Sequence, residues 1–497
     1  MTSAETGQGR VGTRSATQAT APASGQPPTW WPLGVVLTGT FLIVLDFFIV
    51  YVALPSIRRD LGASPAELEW VVAGFGLTFA VLLITSGRLG DRIGRRRAFC
   101  IGVFIFVVAS AACGLAPTPG ALIAARLVQG AGAALVSPNV LSIIGVLYTG
   151  ARRVRAITAY GVVLGTAAAL GQVVGGLLIQ ADIAGSTWRA IFLINVPVGA
   201  AAVVLALRTV PESKAHSSGR LDFGGIVLAT AGLTAIVLPL VEGRQLGWPS
   251  WTWVSLACAP LLFAVLARHQ QLLARHGREP LLHPAVLSDP RLCAGLAVQF
   301  VCWCTQASFF LVLALYLQAG RGLSPVDSGL VFTILAGAYL LLSLRAPGLT
   351  QRHGRDLIMV GALTVAAGDL ALTLAVAVGG SGHIWLLAPG LLLVGAGQGL
   401  WITPLTTTVL SFAEPQRAGV VSGTLSTMQQ VGNSLGVAVT GLVFFGALRH
   451  GYNAAFTDAL IQLTAALAIA AALTRLLRPQ SLPASPDPPP RDQLAVH

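Results

Sequence analysis

The sequence predicts an all-α protein that crosses a membrane many times, and three observations support this. Of the 497 residues, 54% are hydrophobic and only 10% are charged, with a mean hydropathy of +0.75. Soluble domains carry about 25% charged residues, so this composition excludes an ordinary soluble protein. Apolar runs of about 20 residues recur along the chain, each long enough to cross a bilayer as a helix. Finally, five arginines cluster between two such runs, in Gly87–Arg97, as is typical of a membrane surface.

The apolar runs predict fourteen transmembrane helices. They cover residues 33–57, 68–88, 98–116, 120–147, 155–180, 188–208, 222–242, 251–268, 291–317, 327–346, 356–378, 384–411, 416–447 and 453–476. The first 32 residues are rich in Ala, Thr, Ser, Gly and Gln, and residues 477–497 are rich in proline. Neither end can bury a core, so we expect two disordered cytoplasmic tails.

The cations predict the orientation. A formal charge of +12 would suggest a nucleic-acid partner in a soluble domain. Here the cations lie in short loops between apolar runs, so we expect no nucleic-acid binding and place both termini in the cytoplasm. Arg58 and Arg59 run against this bias, although nearby acids, among them Glu67 and Glu69, partly offset them. The six cysteines lack the spacing of a metal site, so we expect no metal or cofactor.

A weak internal repeat predicts the domain organisation. The segment Pro347–Arg355 repeats the pattern of Gly87–Arg97 in the second half of the chain. The repeat pairs a six-helix bundle at 33–208 with another at 291–476, and leaves residues 209–290 as two extra helices. Two repeated halves are a frequent plan in secondary transporters, with the substrate site at their interface.

The Gly87–Arg97 segment is the first candidate functional element. Gly87, Gly90 and Gly94 permit a tight turn and the close approach of helix ends. Asp91 could accept hydrogen bonds at a helix start, or pair with Arg92 or Arg95. A solvated cluster that only sets topology is the alternative, and it is favoured for Arg95, Arg96 and Arg97. An acid adds nothing to such a cluster, which favours a functional role for Asp91.

This segment carries a family resemblance. Gly-x-Leu-x-Asp-Arg-x-Gly-Arg-Arg after the second span resembles the signature loop of the major facilitator superfamily. Fourteen spans resemble its drug:proton antiporter branch, which has two extra central helices between two six-helix bundles. The resemblance implies a cell-membrane transporter, mostly monomeric, that works by alternating access with this loop gating the cytoplasmic side. We expect Asp91 to latch that gate rather than to contact substrate.

Asp46 and Asp369 lie midway along predicted spans, and Arg126 lies about two turns into another. A charge at bilayer depth costs roughly 3 kcal/mol, so each should face a cavity or a partner. Asp46 and Arg126 lie at compatible depths and could form a pair. The resemblance implies proton coupling or cation recognition for Asp46, and proton transfer for Arg126 and Gln129. No motif supports Asp369, which we interpret as a second proton site or a counter-ion for a cationic substrate. A static structural contact is the alternative for each.

The fifth span contains Gly161, Gly165, Gly171, Gly175 and Gly176, whose spacing predicts a groove for close helix packing. The run resembles the motif that separates exporters from importers in this family, except that Gln172 stands where proline is usual. The polar and aromatic candidates for the substrate cavity are Gln129, Gln172, Gln429, Asn433, Trp303 and Phe309. Helix packing or lipid contact would explain these residues equally well.

The leading hypothesis is a proton-coupled exporter of amphipathic or cationic small molecules such as drugs or antibiotics. Its partners would be the substrate, protons and the lipid bilayer. The alternative is a proton-coupled importer of a metabolite on the same fold. A membrane enzyme is disfavoured, because His269, His276 and His283 share one loop without close carboxylates in the sequence.

Overall fold

The computed structural model describes residues 29–214, 222–278, 280, 288–379, 383–412 and 418–477. These residues are helical almost throughout and contain no β-strand. The α-helices are α1 (Trp31–Leu61), α2 (Pro65–Ile93), α3 (Arg95–Gly114), α4 (Pro119–Leu147), α5 (Gly150–Ala181), α6 (Ala190–Leu193), α7 (Asn195–Thr209), α8 (Phe223–Glu242), α9 (Ser250–Arg275), α10 (Pro290–Leu315), α11 (Pro325–His353), α12 (Asp356–Gly379), α13 (Ala388–Ser411), α14 (Ala418–Ala447) and α15 (Tyr452–Leu473).

The predicted fold class is confirmed. Within the described residues, thirteen spans are long and apolar enough to cross a membrane, and the bent α5 makes up to fourteen. The short helix α6 and α7 belong to one span, Thr187–Thr209. Most of the two predicted tails, 1–28 and 478–497, lies outside the described residues.

Local sequence signals explain where several helices begin. Ser64 and Glu67 form a reciprocal capping box at the start of α2, where Pro65 occupies the first helical position. At α4 and α11, the side chains of Thr118 and Ser324 accept a hydrogen bond from the backbone N–H three residues on. These caps satisfy N–H groups that would otherwise be orphaned at the membrane surface.

The helices pack as two groups and an extra hairpin. Helices α1–α7 pack mainly among themselves, as do α10–α15. Helix α8 packs against α2 and α14, and α9 packs against α8. The two groups meet along α1 with α10, α5 with α11, and α2 with α14. Glycines allow the closest approaches within each group. A Cβ on Gly132 of α4, for example, would lie 2.7 Å from the backbone nitrogen of Phe106 on α3.

The molecule is closed at one end, and we call that the outer end because the charge bias predicts it to face outside. There the amide of Gln318 donates a 2.8 Å hydrogen bond from the end of α10 to the Val52 carbonyl of α1. Gly176 of α5 lies so near α11 that a Cβ would come 2.5 Å from the Pro325 carbonyl oxygen. The opposite end, which carries Gly87–Arg97, is called the loop end.

Candidate functional site

A buried ion pair lies inside the first helix group. Arg126 of α4 donates from Nη1 to Asp46 Oδ2 of α1 at 2.5 Å, and both side chains are fully buried. Gln129, one turn along α4, accepts from the same Nη1 at 2.7 Å and donates to Asp46 Oδ1 at 2.8 Å. The structure thus brings together three residues that the sequence predicted for proton coupling or for the cavity.

Two further polar residues complete this network, and the sequence analysis missed both. Asn195 at the start of α7 donates to Asp46 Oδ1 at 2.9 Å, and Ser110 of α3 accepts from Gln129 at 2.7 Å. An amide inside an apolar span was the available signal for Asn195, because polar groups at membrane depth need partners. Ser110 offered no comparable signal.

Arg126 also contacts α2, although its buried Nη2 has no hydrogen-bond partner among the described residues. Its Nε donates to the Val71 carbonyl of α2 at 2.9 Å, and its guanidinium carbon lies 4.3 Å from the ring centre of Phe75. A guanidinium stays charged in proteins, so the site keeps a fixed positive charge beside Asp46. Asp46 uses three of its roughly four acceptor positions here, which fits an ionised carboxylate.

The network can exchange a proton only by rearranging. A proton that binds Asp46 removes the charge that Arg126 pairs with, and a buried guanidinium without a counter-charge is costly. Protonation of Asp46 and separation of α1 from α4 therefore favour each other. This coupling is the chemistry that a proton-driven conformational change requires.

A central cavity of about 890 Å³ opens at the loop end. It lies between α1, α2, α4 and α5 of the first helix group and α14 of the second. Apolar residues such as Val44, Phe79 and Leu164 form much of its wall, and Gln429 and Gln430 add amides from α14. Its size and mixed lining are those of a site for a small molecule.

Of the predicted cavity residues, Gln429 is among those that line this cavity. Asn433 lies one turn beyond and donates to Gln430 Oε1 at 2.9 Å, so it orients a lining residue. Gln129 belongs instead to the buried ion-pair network, and Gln172 donates to the Phe48 carbonyl of α1 at 2.7 Å. The expected positions of Gln129 and Gln172 in the cavity were wrong because their faces of the helices turn toward α1.

Asp369 of α12 lies in a separate, much smaller cavity in the second helix group. This cavity, of about 10 Å³, is lined by Thr305, Gln306, Phe309, Val365, Gln398 and Trp401 as well as the acid. Asp369 is buried, and its Oδ1 has no hydrogen-bond partner among the described residues. The predicted cavity aromatics lie here too: Phe309 lines it, and Trp303 packs edge-on against Trp401. Neither of them lines the large cavity.

The Gly87–Arg97 segment is less of a loop than its composition predicts. Helix α2 continues through Asp91 to Ile93, Gly94 alone breaks it at φ +113°, and α3 begins at Arg95. Asp91 accepts from Nη2 of Arg95 at 2.8 Å, whereas Arg92 is exposed. The repeat segment is built alike, since α11 ends at Gly354 with φ +54° and α12 follows.

Glu212, which the sequence analysis did not single out, caps the start of α3. Its carboxylate accepts from the backbone N–H of Arg96 at 3.1 Å and of Arg97 at 3.2 Å. A Cβ on Gly94 would lie 2.5 Å from this carboxylate, so the glycine provides both the positive φ and the space. The end of the sixth span is thereby tied to the segment that joins α2 to α3.

Other members of the segment pack against α4. A Cβ on Gly90 would overlap the Asn139 side chain, and one on Gly87 would lie 3.6 Å from Pro138. Asp91, which we expected to latch the gate rather than contact substrate, lies with Arg95 among the residues that line the cavity mouth. The separation between gate and substrate path that the sequence suggested is therefore not seen in this conformation.

Comparison with known proteins identifies the family. The family model described as Major Facilitator Superfamily matches residues 36–437. The chain belongs to the Major Facilitator Superfamily. The probable actinorhodin transporter of Streptomyces coelicolor is 37% identical over 461 residues, which cover 91% of this chain and 79% of that protein. The cephamycin export protein CmcT of Amycolatopsis lactamdurans is 36% identical, with 82% and 83% covered. The predicted family and the multi-pass location in the cell membrane are confirmed.

Solved structures share the fold of this transporter. A POT family transporter in complex with 5-aminolevulinic acid matches with a TM-score of 0.65 at 15% identity, covering 90% of this chain and 96% of that chain. A D-xylose-proton symporter also matches with a TM-score of 0.65, at 14% identity and 90% and 98% coverage. Identity this low shows a common fold and carries no information on substrate.

The glycines of α5 divide into two sets in this transporter. Gly171, Gly175 and Gly176 meet α1 or α11 closely, and a Cβ on Gly175 would lie 2.5 Å from Val52. Gly161 has open space around it, and a Cβ on Gly165 would meet only Tyr339, at 3.7 Å. The predicted close packing is therefore seen at Gly171, Gly175 and Gly176, but not at Gly161 and Gly165, which lie toward the open loop end. Helix α5 bends by 41° between its segments Gly150–Ala168 and Leu170–Ala181, without a proline at 172.

Glu69 is a buried acid that the sequence analysis treated as a surface charge. It lies on α2 at the outer end, 1% exposed, and its Oε2 has no hydrogen-bond partner among the described residues. A Cβ on Gly441 of α14 would overlap its carboxylate, so the glycine makes room for the acid where the two helix groups meet. Beside it, Trp70 donates to Glu242 at 2.9 Å, which places that acid in a contact rather than in solvent.

One histidine has a carboxylate partner after all. His269 Nε2 of α9 lies 2.8 Å from Asp222 Oδ1, at the start of α8. Burial by itself would raise the pKa of Asp222, but hydrogen bonds from Gln270, His269 and the Gly225 backbone outweigh it and lower the pKa below its ordinary value. The cluster ties the two extra helices together. His283 lies outside the described residues.

Proposed function

We propose that this chain exports amphipathic small molecules in exchange for protons by alternating access. It is a transporter of the Major Facilitator Superfamily, and relatives above 30% identity are named as a probable actinorhodin transporter and a cephamycin export protein. Proton coupling and the exchange itself are the new elements of the proposal.

The observation that carries the proposal is the buried Asp46–Arg126 pair, which lies on two of the helices that form the cavity wall. Asp46 is on α1, whose residues Thr40, Ile43 and Val44 line the cavity. Because protonation of Asp46 and separation of the pair favour each other, a proton entering from the outer side would shift α1 against α4. Such a shift changes the cavity wall and thereby couples the proton to the substrate.

The loop end supplies the second part of the cycle. Here the cavity is open, while the outer end is closed by contacts between the helix groups. With the predicted orientation, this is the state that receives substrate from the cytoplasm. The Asp91–Arg95 pair and the Glu212 cap hold α2, α3 and the end of the sixth span together, so that they move as one body during closure.

Proteoliposomes with an imposed pH gradient test the proposal. Substrate should move against the direction of proton flow, and Asp46→Asn should abolish the gradient-driven flux. Asp458→Asn is the matched control, because Asp458 is an exposed acid on α15 and its loss should change little. Movement of substrate in the same direction as protons would instead establish the importer. Normal flux in Asp46→Asn would refute the proposed mechanism.

A further inference from the structure

The charges around the central cavity are unevenly distributed. Among its lining residues, Arg88, Arg95 and Arg153 are cations and Asp91 is the one acid. The remaining polar lining groups are neutral, and they are Thr40, Ser137, Ser142, Tyr160, Ser422, Ser426, Gln429 and Gln430. The lining therefore carries a positive excess, and its positive groups lie at the mouth.

Among the residues that the structure describes, no free carboxylate is available to a substrate in this cavity. Asp91 is already paired with Arg95 at 2.8 Å. Asp46 is enclosed by its hydrogen-bond partners Arg126, Gln129 and Asn195. It faces away from the cavity, because Val44 of the cavity wall lies two residues earlier, about 200° around the axis of α1. Asp369 lies in the separate small cavity. A cationic substrate would enter a membrane-embedded site without a counter-ion, which is costly.

The cations at the mouth differ in whether they already have a hydrogen-bond or ion-pair partner in the protein. Arg95 is paired with Asp91, and Arg88 donates to the Pro280 carbonyl at 2.6 Å. Arg153 of α5 forms no ion pair with any residue that the structure describes, and its side chain is exposed at the mouth. Its Nη2 lies beside Gly145 of α4, where an added Cβ would come no closer than 3.7 Å. The guanidinium is therefore open to a ligand.

We propose that the cavity selects anionic amphipathic molecules over cationic ones, with Arg153 as the counter-ion for a carboxylate or phenolate. The apolar body of such a molecule would rest on Ile43, Val44, Phe79 and Leu83, and its neutral polar groups would reach Gln429 and Gln430. A guanidinium binds carboxylates through charge-assisted hydrogen bonds, which a cation cannot form. The inference rests on the proposed function in that it takes this cavity as the transport site. It replaces the sequence-based expectation of cationic substrates, which depended on Asp46 or Asp369 as counter-ions.

Equilibrium binding to the purified full-length chain tests the inference. Fluorescein and rhodamine 123 share a xanthene ring system but carry opposite charge at neutral pH. Fluorescence anisotropy should show tighter binding of fluorescein to the wild type. Arg153→Gln should weaken fluorescein binding by roughly threefold to tenfold, the range of one partly exposed charged contact. Arg153→Lys should recover part of the loss by keeping the charge.

The matched control is Arg155→Gln, which removes an exposed cation two residues away on the same helix that does not line the cavity. It should leave fluorescein binding within about twofold of the wild type, because a surface charge of this kind contributes little. Tighter binding of rhodamine 123, or equal losses in Arg153→Gln and Arg155→Gln, would overturn the inference. The assay uses no pH gradient, so a failure of proton-coupled export would leave its result unaffected and would be seen separately in the proteoliposomes.

Discussion

The Asp46–Arg126 pair allows a quantitative prediction. In Asp46→Asn the guanidinium stays charged and fully buried but loses its counter-charge. Breaking one side of a buried pair costs about 3–5 kcal/mol, or about 150- to 5,000-fold in the ratio of folded to unfolded protein. The bonds that Arg126 keeps, to Gln129 and the Val71 carbonyl, place the cost toward the lower end of that range.

Removing both charges should be milder. Asp46→Asn combined with Arg126→Gln leaves only neutral amides, and replacing a whole buried pair is often nearly neutral. We expect the double variant to regain about 2 kcal/mol over Asp46→Asn, measured as the free energy of unfolding in mixed micelles titrated with sodium dodecyl sulfate. Both variants should lack gradient-driven transport, since each has lost the carboxylate. A double variant no more stable than the single one would refute this reasoning.

Two further predictions concern the ends of the molecule. Gly441→Val places a side chain on the buried Glu69 carboxylate and should cost about 1–3 kcal/mol, weakening the closed outer end. Gly446→Val on the same helix, where a Cβ meets nothing within 4 Å, is its control, and equal thermal stability of the two variants would contradict the assigned contact. Glu212→Ala removes the cap of α3 and should cost about 1 kcal/mol, slowing transport while leaving equilibrium dye binding unchanged. A loss of binding in that variant would show that Glu212 acts on the cavity itself.

The sequence was sufficient for the fold because membrane helices are specified locally. An apolar run of the right length must form a helix, since backbone groups in lipid have no other partners. Asp46 and Arg126 were recognisable for the same reason, as charges at a depth where each needs a partner. The glycine at position 94 was recognisable as a turn, although α2 extends further into the segment than its charge suggested.

The rotation of each helix about its own axis could not be predicted from the sequence in the same way. Whether Gln129 faces the cavity or Asp46 depends on how α4 turns against α1, and both faces of α4 have similar composition. Glu69 was missed because its burial depends on Gly441, more than 300 residues away along the chain. The residues that line the cavity also depend on which end is open, and a sequence carries no signal for the conformational state.

In the proposed exchange, helix α1 is the element that connects the proton site with the substrate cavity. Its faces carry Asp46 toward the ion pair, Val44 toward the cavity and the Val52 carbonyl toward Gln318 at the closed outer end. Asp46, the acid of the ion-pair network, does not line the cavity, so proton and substrate do not compete directly for Asp46 in this conformation. Exchange would then require that α1 moves as a rigid body when the pair separates, changing the cavity wall and the outer contact together. An anionic substrate fits such a scheme, because it needs no protein carboxylate as a counter-ion. Asp46 is then left free for the proton.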